Sequence, residues 1–204
     1  MSVDHLPAWR HIDDVGDLVE AICRLYDDRG GSNYDEAVTQ TVHALQSADL
    51  ASAADAPGPL VAAALLHDIG HLLLGEWETR ADFLERDLHH EEVAARFLAN
   101  WFGPEVTEPI RMHVSAKRYL CAVEPEYTAG LSPASVRSLA VQGGPMDADE
   151  LADFARRDHV AGAIALRRWD DEAKQPDLPV GDIREHAGLL ASLARIASVD
   201  ATQG

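Results

Sequence analysis

The chain has 204 residues, enough to bury a substantial core and suited to a single domain spanning 1–204. Asp and Glu number 35 against 17 Lys and Arg, a formal charge of −18 that repels a nucleic-acid backbone, so no nucleic-acid partner is expected. No apolar run reaches the roughly 18 residues of a membrane span, and the start MSVDHLPAWRHIDD lacks the basic and apolar regions of a signal peptide, so the expected setting is cytoplasmic with no membrane partner.

Apolar residues spaced by three and four predict a first helix over 13–28, closed by Gly30-Gly31-Ser32. A second is predicted over 36–54, where Glu36, Gln40, His43 and Ser47 fall on one stripe. That stripe faces either solvent or a wet internal cavity, and His43 alone reads as well as a core or surface histidine. A third helix is predicted over 58–73 after Pro57-Gly58-Pro59, and its string VAAALLHDIGHLLL sets His67 and Asp68 side by side in strongly apolar surroundings. A carboxylate buried there without a partner costs several kcal/mol, so either an Arg salt bridge or a metal ion must stand beside it. His71, one turn after His67, can line the same cavity.

Further helices are predicted over 89–102, 104–122, 133–141, 147–168 and 182–198. Ser132-Pro133 reads as a cap followed by a first-turn proline, and Gly103-Pro104 stops one helix and starts the next. Adjacent helical residues point about 100° apart, so only one ring of His89-His90 can face the core. His90 shares its face with Val93, Ala94, Phe97 and Leu98, which leaves His89 exposed. His113 and Lys117 lie one turn apart, and a lysine so close to a metal ligand calls for an anion between them; the bland alternative is a lysine that points to water. In RRWDDEAK, Arg167 and Asp170 are three apart, so Asp170 can close a metal set while Arg167 grips an anion, although paired carboxylates also occur on solvated helix ends. No alternating run of β-branched residues supports a sheet, and the predicted fold class is all-α. Cys23 and Cys121 sit among apolar neighbours and read as buried free thiols.

The order His43, His67-Asp68, His90, His113, Asp170 resembles the HD-domain superfamily, which holds metal-dependent phosphohydrolases and a smaller branch of mixed-valence di-iron oxygenases. The strings YDEAVTQTVHALQSA, LLHDIGH, HEEVAARFL, HVSAKRYL, LSPAS, VQGGPM and LRRWDDEAK resemble the organophosphonate-cleaving oxygenases of the PhnZ type over about residues 33–175. The resemblance implies an HD-domain helical bundle over that core, with terminal helices packing on it. It also implies an Fe(II)/Fe(III) pair, one ion on His43, His67, Asp68 and Asp170, the other on Asp68, His90 and His113, with Asp68 bridging. Phosphonate contacts map to Lys117, Ser135, Gln142 and Arg167, with His71 beside them, and the catalytic set is Asp68, His71 and Lys117. Tyr34 and Glu36 correspond to a family tyrosine and glutamate at the substrate's cationic end, although Tyr34 lies one residue nearer His43 than the family pattern places it. Tyr34 and Trp77 are candidates for an aromatic wall against a quaternary ammonium.

The implied reaction is O2-dependent cleavage of the C–P bond of a 1-hydroxy-2-(amino or trimethylammonio)ethylphosphonate, releasing phosphate and glycine or glycine betaine. Two other readings share the ligand set: a metal-dependent phosphohydrolase acting on a small phosphate ester, and a regulatory HD protein, which should lack some of the six ligands. Nothing in the patterning specifies an oligomeric state.

Overall fold

The computed structural model describes Trp9 and residues 12–33, 37–74 and 89–195, which are helices and connections with no strand among them. Tyr34, Glu36 and Trp77 lie outside the described residues. Helix α1 (Val15–Arg29) starts at Asp14, whose carboxylate accepts from the Asp17 amide, and buries Leu18, Ile22, Leu25 and Tyr26 along one stripe. Helix α2 (Gln40–Ala53) starts later than predicted, because the Thr39 hydroxyl accepts from the Val42 amide and fixes the first turn there. Gln40, His43 and Ser47 on its polar stripe are all buried, so that stripe faces inward.

The helix predicted over 58–73 is two: α3 (Gly58–Leu66) and α4 (Ile69–Leu74), with His67 and Asp68 in the turn between them. Side chains take up carbonyls where the ladder is interrupted. Nδ1 of His67 lies 2.8 Å from the Ala64 oxygen, and the Tyr26 hydroxyl donates to the Leu65 oxygen at 2.8 Å. Arg29 donates to the Leu72 oxygen at 3.0 Å, so α1 secures this segment on both sides of the break. Helix α3 is apolar all round and its Ala62–Leu66 stretch is wholly buried, as befits a central helix.

Beyond the undescribed stretch, His89 adopts a left-handed backbone (φ 51°) and turns the chain into α5 (His90–Leu98). As predicted, His90 is buried and His89 exposed. Helix α6 (Pro104–Val123) matches its predicted range to within one residue. The short α7 (Pro125–Ala129) has no counterpart among the predicted elements, while α8 (Pro133–Val141), capped by Ser132, matches its predicted range residue for residue. The helix expected over 147–168 is again two, α9 (Ala148–Ala155) and α10 (Val160–Glu172). The run Arg156-Arg157-Asp158-His159 offers no apolar face to continue one helix, and His159 with φ 64° redirects the chain. The last predicted helix divides into a 3-10 turn (Ile183–His186) and α11 (Ala187–Leu193).

Helix α6 is the hub, packing against α3, α5 and α10, while α2 lies on α3 and α10. The approach of α4 to α5 depends on Gly70, where an added Cβ would lie 2.0 Å from the His90 oxygen. Cys23 and Cys121 are free thiols; Cys23 is buried as expected, but Cys121 is only half-buried. Among the described residues no helix is long and apolar enough to cross a membrane.

Candidate metal centre and anion pocket

Five helical segments deliver six donor side chains to one place: His43 from α2, His67 and Asp68 from the α3–α4 turn, His90 from α5, His113 from α6 and Asp170 from α10. Five of them form two groups that share Asp68, and Asp170 stands beside the first. In the first, His43 Nε2 lies 3.2 Å from His67 Nε2, 3.3 Å from Asp170 Oδ1 and 3.6 Å from Asp68 Oδ2. In the second, His90 Nε2 lies 3.1 Å from His113 Nε2 and 3.4 Å from Asp68 Oδ1. Two ligands about 2.1 Å from one ion and 90–110° apart stand about 3.0–3.4 Å from each other, so these gaps are the spacing an ion between the donors requires. Imidazole and carboxylate donors without thiolate suit iron or manganese, whereas magnesium and calcium favour oxygen-rich sets.

The rings are oriented by main-chain oxygens. Nδ1 of His43 lies 2.8 Å from the Ala173 oxygen, that of His67 2.8 Å from Ala64, and that of His113 2.7 Å from Ile110. An Nδ1–H donated to a carbonyl leaves the lone pair on Nε2, and Nε2 is the atom each ring turns into the centre. His71 stacks on His90 with ring centroids 3.9 Å apart, and its Nε2 lies 3.9 Å from Asp68 Oδ1.

Burial alone would raise the Asp68 carboxyl, yet the His67, His90 and His71 rings around it hold it well below the usual carboxylate range. Burial, reinforced by His90 and His67, pushes His113 well below the ordinary imidazole range, and burial lowers His67 too. His43 goes the other way: burial disfavours its charge, but Asp170 and Asp68 beside it raise the ring above the ordinary imidazole range. Neutral His67 and His113 beside an ionised carboxylate are the protonation states that ligation needs. No Lys or Arg lies within ion-pair distance of Asp68 among the described residues, so the salt-bridge reading of that carboxylate finds no support. Asp170 does have cations: Arg167 Nη1 donates to it at 2.6 Å and Lys174 Nζ lies 3.7 Å away. Burial would raise its carboxyl, but Arg167 and Lys174 keep it well below the usual range.

All the donors but His67 open onto a cavity of about 60 Å³ whose far wall is cationic. Lys117, Ser135, Gln142 and Arg167 all line it, as does His71, so the predicted anion contacts and metal donors meet in one space. Lys117 Nζ donates to Ser138 Oγ at 2.8 Å rather than pointing to water. Burial, with the Arg167 charge beside it, pushes its ammonium down to about 7. Arg167 is more heavily engaged than expected, donating to Asp170, to Asp171 and, at 3.0 Å, to the Tyr127 hydroxyl, which itself donates to Asp171. Burial disfavours its charge, but Asp170 and Asp171 hold it well above its ordinary value. Asp171 is therefore a clamp on the guanidinium rather than a solvated neighbour of Asp170.

Two polar wall residues escape a reading of the linear pattern. Lys174 lies 3.4 Å from Ser135 Oγ and one turn beyond Asp170, a four-residue spacing visible in the sequence. Ser138 lies three after Ser135, on the same face of α8. Tyr34 and Glu36 fall outside the described residues.

Among known families, the HD domain model matches residues 41–137, a span that carries His43, His67, Asp68, His90 and His113. Over 171 residues, 84% of this chain and 85% of the other, the sequence is 49% identical to the hydroxymethylphosphonate dioxygenase of Gimesia maris. It is 42% identical over 176 residues, 86% of this chain and 89% of the other, to the glycine-betaine-forming 1-hydroxy-2-(trimethylamino)ethylphosphonate dioxygenase of Leisingera caerulea. An uncharacterised protein of Acanthamoeba polyphaga mimivirus is 35% identical over 162 residues, 76% of this chain and 72% of the other.

Proposed function

Because the chain belongs to the HD-domain family, alongside the two named dioxygenases, we propose that it is an O2-dependent oxygenase that breaks the C–P bond of a small 1-hydroxyphosphonate. The observation that carries this reading is Asp68, ionised and shared between a His43–His67 pair and a His90–His113 pair, opposite a cationic wall. Both named relatives act on a substrate with a hydroxyl on the carbon that bears phosphorus. With such a substrate one O2 balances the reaction without an outside reductant: the C–P bond breaks, the carbinol carbon becomes a carboxylic acid, and phosphorus leaves as phosphate.

Imidazole and carboxylate donors are compatible with iron, and we read the pair as Fe(II)/Fe(III): one ion would be held by His43, His67, Asp68 and Asp170, the other by Asp68, His90 and His113. Such ions supply a seat for the substrate's oxygens and a place where O2 is reduced. The chain's own residues do the rest. Lys117 and Arg167 offset the phosphonate charge that a protein of net charge −18 otherwise repels, and Ser135 and Gln142 fix its rotation. His71, stacked on the His90 ring and lining the cavity, is placed to hydrogen-bond the substrate's oxygen. Tyr34 and Glu36 are the proposed contacts for an amine substituent on the substrate. We also read the chain as one domain, a reading supported by one large buried cluster that runs from Trp9 to Leu190, and its setting as cytoplasmic.

The test is phosphate release by iron-loaded protein from hydroxymethylphosphonate and from 1-hydroxyphosphonates bearing primary and trimethylated amines, with and without O2. Release from at least one of them in air and from none without O2 is expected. Release that persists without O2 identifies a hydrolase instead.

A further inference from the structure

Lys117 and Arg118 are neighbours on α6, so their side chains leave the helix about 100° apart. Lys117 enters the cavity, while Arg118 turns toward the segment that follows α8. That segment wraps the arginine. Its Nε donates to the Gly144 oxygen at 2.8 Å, its Nη2 reaches both Glu150 oxygens at 2.8 Å, and its own carbonyl accepts from the Met146 amide at 3.2 Å. Gly143, at φ +98°, lies against the guanidinium, where an added Cβ would sit 3.4–3.6 Å from its Nη2, Cζ and Nε atoms. Glu150 also caps α9 by accepting from the Asp147 amide. Immediately before the two glycines comes Gln142, the residue that caps the C-terminus of α8 and lines the cavity.

The Gln142 amide holds one polar end in reserve. Its Oε1 is buried with no hydrogen-bond partner among the described residues. The oxygen and nitrogen of a side-chain amide exchange places by a half-turn, so whichever end faces inward is left for a ligand. A buried, unpaired amide end costs stability, and such groups persist where a ligand completes them.

We propose that Arg118, locked to Glu150 and Gly144, is a positioning residue that sets the Gly143-Gly144 turn and thereby aims the Gln142 amide at the bound substrate. An exposed ion pair alone contributes little, and Glu150 is partly open to solvent. Here the guanidinium is shared among a carboxylate, a carbonyl and a glycine face, so its loss frees a whole turn rather than one contact. The inference rests on the oxygenase reading and deepens it.

The experiment is a double-variant cycle on the iron-loaded enzyme, following phosphate release in air from the 1-hydroxyphosphonates above. Arg118→Ala is expected to raise KM about tenfold with kcat within about threefold and metal content unchanged, Gln142→Ala to do likewise, and the pair together to be no worse than Gln142→Ala alone. Arg118→Lys, with one charged donor group instead of a fork, should recover part of the loss. Multiplying KM effects in the double variant, or an unchanged KM in Arg118→Ala, overturns the proposal. Should Arg118→Ala not fold, Glu150→Gln takes its place in the same cycle: a raised KM that does not multiply with Gln142→Ala is expected, and an unchanged or multiplying KM overturns the latch. A parent enzyme that releases no phosphate from any of these compounds ends the oxygenase reading, and the latch with it, by a result distinct from either variant outcome.

Discussion

Lys117 meets two opposed demands. It is almost wholly buried, and its ammonium is pushed down to about 7 by burial and the nearby Arg167 charge. A lysine whose folded value lies below its unfolded one binds protons more readily when unfolded. Stability at this site therefore falls as pH drops from the ordinary lysine range toward 7. Lys117→Met should stabilise metal-free protein at pH 7 by on the order of 2 kcal/mol in urea melts, while kcat/KM falls at least about a hundredfold. Equal or lower stability at pH 7 would show that burial is not what depresses the group. The charged form binds the anion, so kcat/KM of the parent should decline as pH rises through about 7, and that limb should vanish in the Met variant.

Asp68 is the other residue on which much turns, since both donor groups include it. Asp68→Ala should leave less than one ion per chain by elemental analysis, whereas replacing a donor of one group alone, as in His113→Ala, should spare the other. Equal metal in the Asp68 variant and the parent would refute the shared-ligand arrangement. At this scale the sequence is informative where donors sit in unusual company: His67-Asp68 among alanines and leucines needs a reason, and His90 shares its face with an apolar stripe. It is uninformative about Asp171 and Tyr127. Their roles come from converging on Arg167, and Tyr127 reaches it from 40 residues away, on a helix too short to announce itself.

Single helices are legible wherever a cap or proline marks an end, as Ser132-Pro133 does for α8 and Gly103-Pro104 for α6. Continuity is what periodicity misjudges. The run over 58–73 reads as one helix because apolar residues continue on both sides of His67-Asp68, and side chains that cap the carbonyls at its break include Tyr26 reaching in from α1. Such contacts leave no local mark, so periodicity alone joins α3 to α4. The gap between α9 and α10 is more visible, since two arginines, an aspartate and a histidine stand where an apolar face should pass. Close approach of elements also matters, and Gly70 is its test. An alanine there meets the His90 backbone, so Gly70→Ala should force α4 from α5, destabilise the fold by about 2–4 kcal/mol and selectively empty the His90–His113 group. A variant that keeps full metal content would show that the two helices can separate without moving His90.

Taken as a whole, the molecule is a bundle whose centre gathers side chains as far apart in sequence as His43 and Asp170. Ions held there would tie five helical segments together, so chelation should lower the melting temperature by about 5–10 °C or more and make it depend on metal concentration. A midpoint unmoved by chelator would mean that the donors contribute nothing to cohesion. Net charge limits partners without specifying the reactant, and the local cationic wall, assembled from α6, α8 and α10, is only partly disclosed by the linear pattern.

Helix α1 lies before the segment matched by the HD domain model and contributes no lining to the cavity, yet its Tyr26 and Arg29 hold the carbonyls on either side of the turn that presents His67 and Asp68. A redesign confined to the walls of the cavity would thus leave one adjustment untouched. Substitutions of Tyr26 or Arg29 on that outlying helix would shift the turn that carries two of the donors and retune reactivity from a distance.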